Sequence, residues 1–107
     1  MADRTQKNQF DINGRVIFKG EPIYISAKMS KRLLVLEVYV DNKYKQEVPF
    51  EFVNDEMQKL NNVRKGDWVE VVFNLRGRKT IQGDGRARWW PTNGGIACTV
   101  IEQGHGG

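Results

Sequence analysis

The sequence predicts an all-β protein: a five-stranded barrel with one short helix between strands 3 and 4 and a long loop or hairpin between strands 4 and 5. Three observations carry that expectation. Apolar and polar residues alternate with period two over much of the 107-residue chain, the pattern of strands that bury one face. Only residues 54–63 replace this alternation with helical spacing. Short clusters of Gly, Asp and Asn, the residues that make turns, separate the alternating runs. The length suits one domain. Residues 10–102 are assigned to the barrel, residues 1–9 to a flexible N-terminus and residues 103–107 to a disordered Gly-rich tail.

Each element follows from its residues. Phe10, Ile12, Gly14, Val16 and Phe18 alternate with Asp11, Asn13, Arg15, Ile17 and Lys19 in a first half-buried strand. Residues 33–40 form the second, rich in β-branched side chains and ended by the turn Asp41-Asn42-Lys43. Residues 44–53 form the third, with Val48, Phe50 and Phe52 on one face. Pro49 cannot donate to a ladder, so it is expected at an edge or a bulge. Asn54 is expected to cap a short helix with Asp55 and Glu56 in its first turn, followed by Met57, Leu60 and Val63 at helical spacing. After Arg64-Lys65-Gly66-Asp67, the residues Val69, Val71, Phe73 and Leu75 alternate against Trp68, Glu70, Val72 and Asn74 in the fourth strand. The fifth lies within residues 96–102, and Gly83-Asp84-Gly85 suits the tip of an extended hairpin loop between them.

Several function classes are disfavoured at once. One Cys, Cys98, cannot form an internal disulfide, which fits a reducing compartment. The N-terminal residues lack the apolar core of a signal peptide, and no apolar run approaches the roughly 20 residues that cross a bilayer. A soluble, cytoplasmic protein of a bacterium or a phage-infected cell is expected. The only His, His105, lies in the Gly-rich tail, so neither a Cys/His catalytic pair nor a Cys/His metal site is expected. Glu47 and Glu51 share a strand face, but four residues of extended chain put them roughly 13 Å apart, too far for paired-carboxylate chemistry. No catalytic residue, metal or cofactor is assigned.

The order strand, strand, strand, helix, strand, strand is that of the oligonucleotide- and oligosaccharide-binding (OB) barrel. In that fold a ligand crosses strands 2 and 3 and is gripped by the loops between strands 1 and 2 and between strands 4 and 5. Here those loops fall near residues 19–32 and 76–95. The net charge of +4 is concentrated in them. Residues 19–32 carry four basic groups against Glu21, and residues 76–90 carry five against Asp84, while residues 33–75 carry five basic and eight acidic groups. The excess reads as a localised binding site.

The run Leu60-Asn61-Asn62-Val63-Arg64-Lys65-Gly66-Asp67-Trp68-Val69-Glu70-Val71, continuing to Leu75-Arg76-Gly77-Arg78-Lys79, resembles the helix end, fourth strand and long loop of bacterial single-stranded DNA-binding proteins. Val48-Pro49-Phe50-Glu51-Phe52 resembles their third strand. Residues 14–101 are more similar still to a family of short, uncharacterised bacterial and phage proteins with the same barrel. The resemblance implies the OB fold first and binding of single-stranded DNA, in replication, recombination or repair, second. The chain ends in Gln103-Gly104-His105-Gly106-Gly107, without the acidic tail by which cellular members of that class recruit partners.

Binding a single strand without sequence preference needs cations along the phosphates and flat side chains for the bases. Arg76, Arg78, Lys79, Arg86 and Arg88 supply the first, and Trp89 and Trp90 follow directly. Neighbours in a strand point to opposite sides, so one Trp of the pair could face the core. Lys19, Lys28, Lys31 and Arg32 are the phosphate candidates in the first loop, with Tyr24 and Tyr39 as further stacking candidates. Leu33, Val35 and Tyr39 leave the outer face of the second strand apolar apart from Glu37. Such a patch wants cover, from bases or from a second subunit. An oligomerising or adaptor barrel that binds protein, and a binder of single-stranded RNA, are the alternatives.

Overall fold

The computed structural model describes residues 6–104, which form β1 (Phe10–Lys19), β2 (Ile23–Ser26), β3 (Met29–Tyr39), β4 (Lys45–Val53), a 3-10 helix (Asn54–Leu60), β5 (Trp68–Ile81) and β6 (Ala87–Glu102). Five strands close a barrel in the order β1, β5, β6, β4, β3, with β1 pairing again with β3. The ring is continuously laddered except between β4 and β6. Those two run parallel and share one register pair, Glu51 with Gly94.

The sequence alternation is the alternation of the barrel wall. Val16, Leu34, Leu36, Val38, Phe50, Phe52, Val69 and Val71 point inward and are buried. Each such side chain stabilises the fold by about 1.5–3 kcal/mol. Pro49 stands on the side of β4 that faces the nearly open seam, where no ladder donor is required, and its carbonyl accepts a bond from Asn93 Nδ2 at 3.1 Å.

The helix closes one end of this core. Met57, Leu60 and Val63 recur every third residue, which is one turn of a 3-10 helix; Leu60 and Val63 are buried and Met57 packs against the core. The capping role expected of Asn54 is corrected by the structure. Val53 occupies the cap position with no side-chain bond. Asn54 has a φ of 52°, a conformation its short polar side chain tolerates, and its Oδ1 accepts from the Ser30 amide at 2.9 Å. A residue expected to start a helix thus fastens a distant hairpin.

That hairpin is the element not foreseen in the sequence. Residues 19–32, expected as the first loop, contain the short strand β2, which pairs with the start of β3 through Ile23 with Lys31 and Tyr24 with Ser30. β1 and β2 take successive stretches of one edge of β3, since β1 pairs with Leu34 to Glu37.

The second departure from a simple barrel is an arm. β5 and β6 stay paired from Arg76 with Thr92 to Ile81 with Ala87, six residues or roughly 20 Å of ribbon. Its tip turns at Gly85, φ 85°, with the Arg86 amide donating to Asp84 Oδ1 at 2.9 Å. The arm gives the chain a radius of gyration of 16.0 Å, against about 13 Å for a globular domain of this length.

Both ends of the described chain are tied to the barrel. Asn8 exchanges two hydrogen bonds with the Leu75 backbone at 2.8 and 2.9 Å. The buried Asp67 carboxylate accepts from the amides of Arg64 at 2.9 Å and Gly104 at 2.8 Å. The expected flexible N-terminus and disordered tail fall partly on residues 1–5 and 105–107, which lie outside the described residues. No described helix is long and apolar enough to cross a membrane.

Candidate nucleic-acid interface

Because side chains alternate along a strand, Lys31, Leu33, Val35, Glu37 and Tyr39 share the outer face of β3. Their register partners Val53, Glu51, Pro49, Glu47 and Lys45 continue that face on β4. Ile23 of β2, opposite Lys31, extends it on one side. A cavity of about 340 Å³ opens between Ile23, Lys31, Leu33, Pro49 and Glu51 on the sheet and Pro91 and Thr92 of β6. A second, of about 460 Å³, adjoins it through Lys31, Glu51 and Thr92, and is bounded by Ile25 and Met29 of the hairpin and by Arg76 and Arg78 of the arm. Hairpin and arm therefore meet across one continuous groove.

The arm presents two faces. Register pairs Arg76 with Thr92, Arg78 with Trp90 and Thr80 with Arg88 lie on the face that continues the groove. Lys79 with Trp89 lies on the opposite face. Both Trp are exposed, Trp89 at 67% and Trp90 at 43%. Strand parity does send them to opposite sides, but a ribbon beyond the barrel has no core side, so neither is buried. Trp90 is held by a bond from its Nε1 to Thr80 Oγ1 at 3.2 Å and by the Arg88 guanidinium 4.2 Å from its ring centroid. Trp89 has the Lys79 ammonium at 5.4 Å.

The remaining candidates are scattered. Arg76 donates from Nε to Asn74 Oδ1 at 2.9 Å, which holds its guanidinium at the groove. Arg86, at the tip, pairs with Asp84 at 3.5 Å. Lys31 lies in the groove but is paired with Glu51 at 2.9 Å. Tyr24, Lys28 and Arg32 line a different cavity, between the hairpin and the helix. Arg32 is further committed by a bond from its Nε to the Gly20 carbonyl at 2.6 Å. Lys19 turns to the Val63 carbonyl at 2.7 Å. Burial, with Arg32 and Arg64 nearby, holds its ammonium below the ordinary lysine range. Tyr39 is exposed at the far end of β3 with Lys45 at 5.4 Å.

Charge divides the face along its length. Near the hairpin and arm stand Arg76 and Arg78, which form no ion pair among the described residues. At the Tyr39 end, Glu37 and Glu47 face one another across the ladder, with Lys45 3.7 Å from Glu37. The apolar groove residues Ile23, Pro49 and Pro91 were not singled out as binding residues in the sequence; the parity of Pro49 and Glu51 was the available signal. Cys98, half-buried in β6, has its thiol pushed up to about 11 chiefly by burial, so it stays protonated at neutral pH.

The family described as "Domain of unknown function (DUF3127)" matches residues 11–93. The chain belongs to that family. The matched segment runs from β1 into β6 and takes in the groove and the arm. No curated protein matches the chain significantly. Among solved structures, the chain is similar to the mitochondrial single-stranded DNA-binding protein Rim1 of S. cerevisiae, with a TM-score of 0.69 at 16% identity over 94% of this chain and 100% of that one. It is also similar to the dimeric N-terminal domain of PriB from Thermoanaerobacter tencongensis, with a TM-score of 0.66 at 17% identity over 92% and 100%. At these identities the likeness shows the shared OB fold.

Proposed function

We propose that the chain binds single-stranded DNA along the outer face of β3 and β4, without catalysis, in replication, recombination or repair. The observation that carries this reading is the junction of two surfaces. The groove over β3 and β4 runs into an arm face bearing Arg76, Arg78, Arg88 and an exposed Trp90. Cations beside apolar and aromatic platforms are what a single strand requires. The likeness in fold to a protein described as binding single-stranded DNA supports the same reading. Phosphates run past the arm arginines, and bases lie on Trp90 and on the apolar floor of Leu33, Val35 and Pro49.

Titration of the protein with oligo(dT), followed by Trp fluorescence, tests this. Quenching with saturable binding is the expected result. The absence of both quenching and gel retardation at low salt would sink the reading. Competition with oligo(U) then distinguishes a DNA binder from an RNA binder, because only RNA offers the 2′-hydroxyl.

A second reading is favoured by the PriB domain's being dimeric. In it the half-buried Leu33 and Val35, with the exposed Tyr39, meet a second copy. Sedimentation decides, since a dimer that persists in Val35→Glu excludes this face as the contact.

A further inference from the structure

We propose that the cavity bounded by β2, β3, β4 and β6 is a base-reading subsite that prefers guanine, with the Lys31–Glu51 ion pair as its reading edge. The proposal rests on the single-stranded DNA reading above and adds to it a preference at one position. Its starting point is an incongruity. Glu51 puts a carboxylate on the floor of a groove assigned to a polyanion, yet a phosphate beside it would be repelled.

Lys31 resolves half of the conflict. Its Nζ lies 2.9 Å from Glu51 Oε1, with both side chains about one-third exposed, so the pair is neutral as a unit and draws no phosphate. Next door stand Arg76 and Arg78, which form no ion pair among the described residues. Phosphates are therefore held on the Arg76 and Arg78 side of the second cavity, away from the Lys31–Glu51 wall that the two cavities share, and what enters the first is a base. Its walls fit that occupant. Ile23, Leu33, Pro49 and Pro91 offer apolar surface for the faces of a ring, and beside the ion pair the only other polar residues among the described lining are Thr92 and Asn93, a mostly apolar wall with few polar groups as in small-molecule sites.

Guanine matches the floor better than the other bases do. Its Watson–Crick edge presents the O6 acceptor, the N1–H donor and the N2 amino donor in a row, and in a single strand that edge is unpaired. The ion pair presents the complement, an ammonium donor beside a carboxylate that accepts at two oxygens. Adenine and cytosine offer the carboxylate one amino group next to a bare ring nitrogen. Thymine offers one N–H flanked by two carbonyls, one of which opposes the second carboxylate oxygen. Glu51 is also well placed to discriminate, because it stands at the only register pair joining β4 to β6, on strands rather than on a loop.

The test compares oligo(dT) with the same oligonucleotide carrying one central dG, or deoxyinosine in its place. For the unmodified protein, the dG strand is expected to bind about tenfold tighter than oligo(dT), within the range of a bidentate base contact. Deoxyinosine, which lacks the 2-amino group, is expected to lose most of that gain. Glu51→Gln is expected to abolish the dG preference and, because it frees the Lys31 ammonium, to bind oligo(dT) at least as tightly as the unmodified protein. Equal affinity for dG and deoxyinosine strands, or a dG preference that survives Glu51→Gln, overturns the subsite. Failure to bind oligo(dT) overturns the function proposed above, whereas oligo(dT) binding with no gain from dG overturns the subsite alone.

Discussion

Gly95 shows how tightly the seam beside the groove is built. A Cβ at this position would overlap the Phe52 ring, and Phe52 is fully buried in the barrel, so the ring has nowhere to go. The neighbouring Gly94 leaves room in the same way for the Arg76 guanidinium and Asn74. Overpacking a rigid core costs about 1–3 kcal/mol. Gly95→Ala is accordingly expected to lower the urea midpoint by that free energy divided by an unchanged m-value, and an unaltered midpoint would show that β6 can move away from Phe52. This constraint was not legible in the sequence, where Gly94-Gly95 reads as the end of a flexible loop. Asn54 and Lys19 have the same limitation. Their chemistry was visible, but their partners, Ser30 and Val63, are 24 and 44 residues away.

Elements were legible in proportion to how one-sided their burial is. β1, β3, β4, β5 and β6 each bury one face in the barrel over at least part of their length, and period two reported those parts. β2 did not show itself, because Ile23, Tyr24, Ile25 and Ser26 are all exposed and a strand with no buried face has no pattern to read. The arm is the same case in a longer element: Gly83-Asp84-Gly85 marked its tip, but nothing in the sequence could say that both Trp would be exposed. Its two faces now separate them. Trp90 shares the groove-side face with Arg78 and Arg88, whereas Trp89 lies on the other with Lys79. Trp90→Ala is expected to weaken oligo(dT) binding by about 1–3 kcal/mol, the worth of one stacked base, and Trp89→Ala by less than the lower end of that range. Equal losses would mean that the strand wraps both sides of the arm.

For the molecule as a whole, the net charge of +4 says less than its division between two uses. Among the basic residues of β1 and β3, Lys19 and Arg32 are tied to backbone carbonyls and Lys31 to Glu51. Arg76, Arg78, Lys79, Arg86 and Arg88 stand along the arm. If the three groove-side cations Arg76, Arg78 and Arg88 each neutralise one phosphate, the slope of log K against log salt is about −2.1, each contact supplying about −0.7 for a single strand. Arg78→Ala is then expected to make the slope shallower by about 0.7 with the thermal midpoint unchanged, because its side chain forms no ion pair among the described residues. Arg32→Ala is expected to do the reverse. Losing the 2.6 Å bond to the Gly20 carbonyl destabilises the packing of hairpin against barrel, while the slope stays where it was. The measurement is a salt titration of oligo(dT) affinity for both variants beside a melting curve for each. A slope that changes equally in the two would show that phosphates follow overall charge, not the arm, and the groove would then lose its claim to orient the strand.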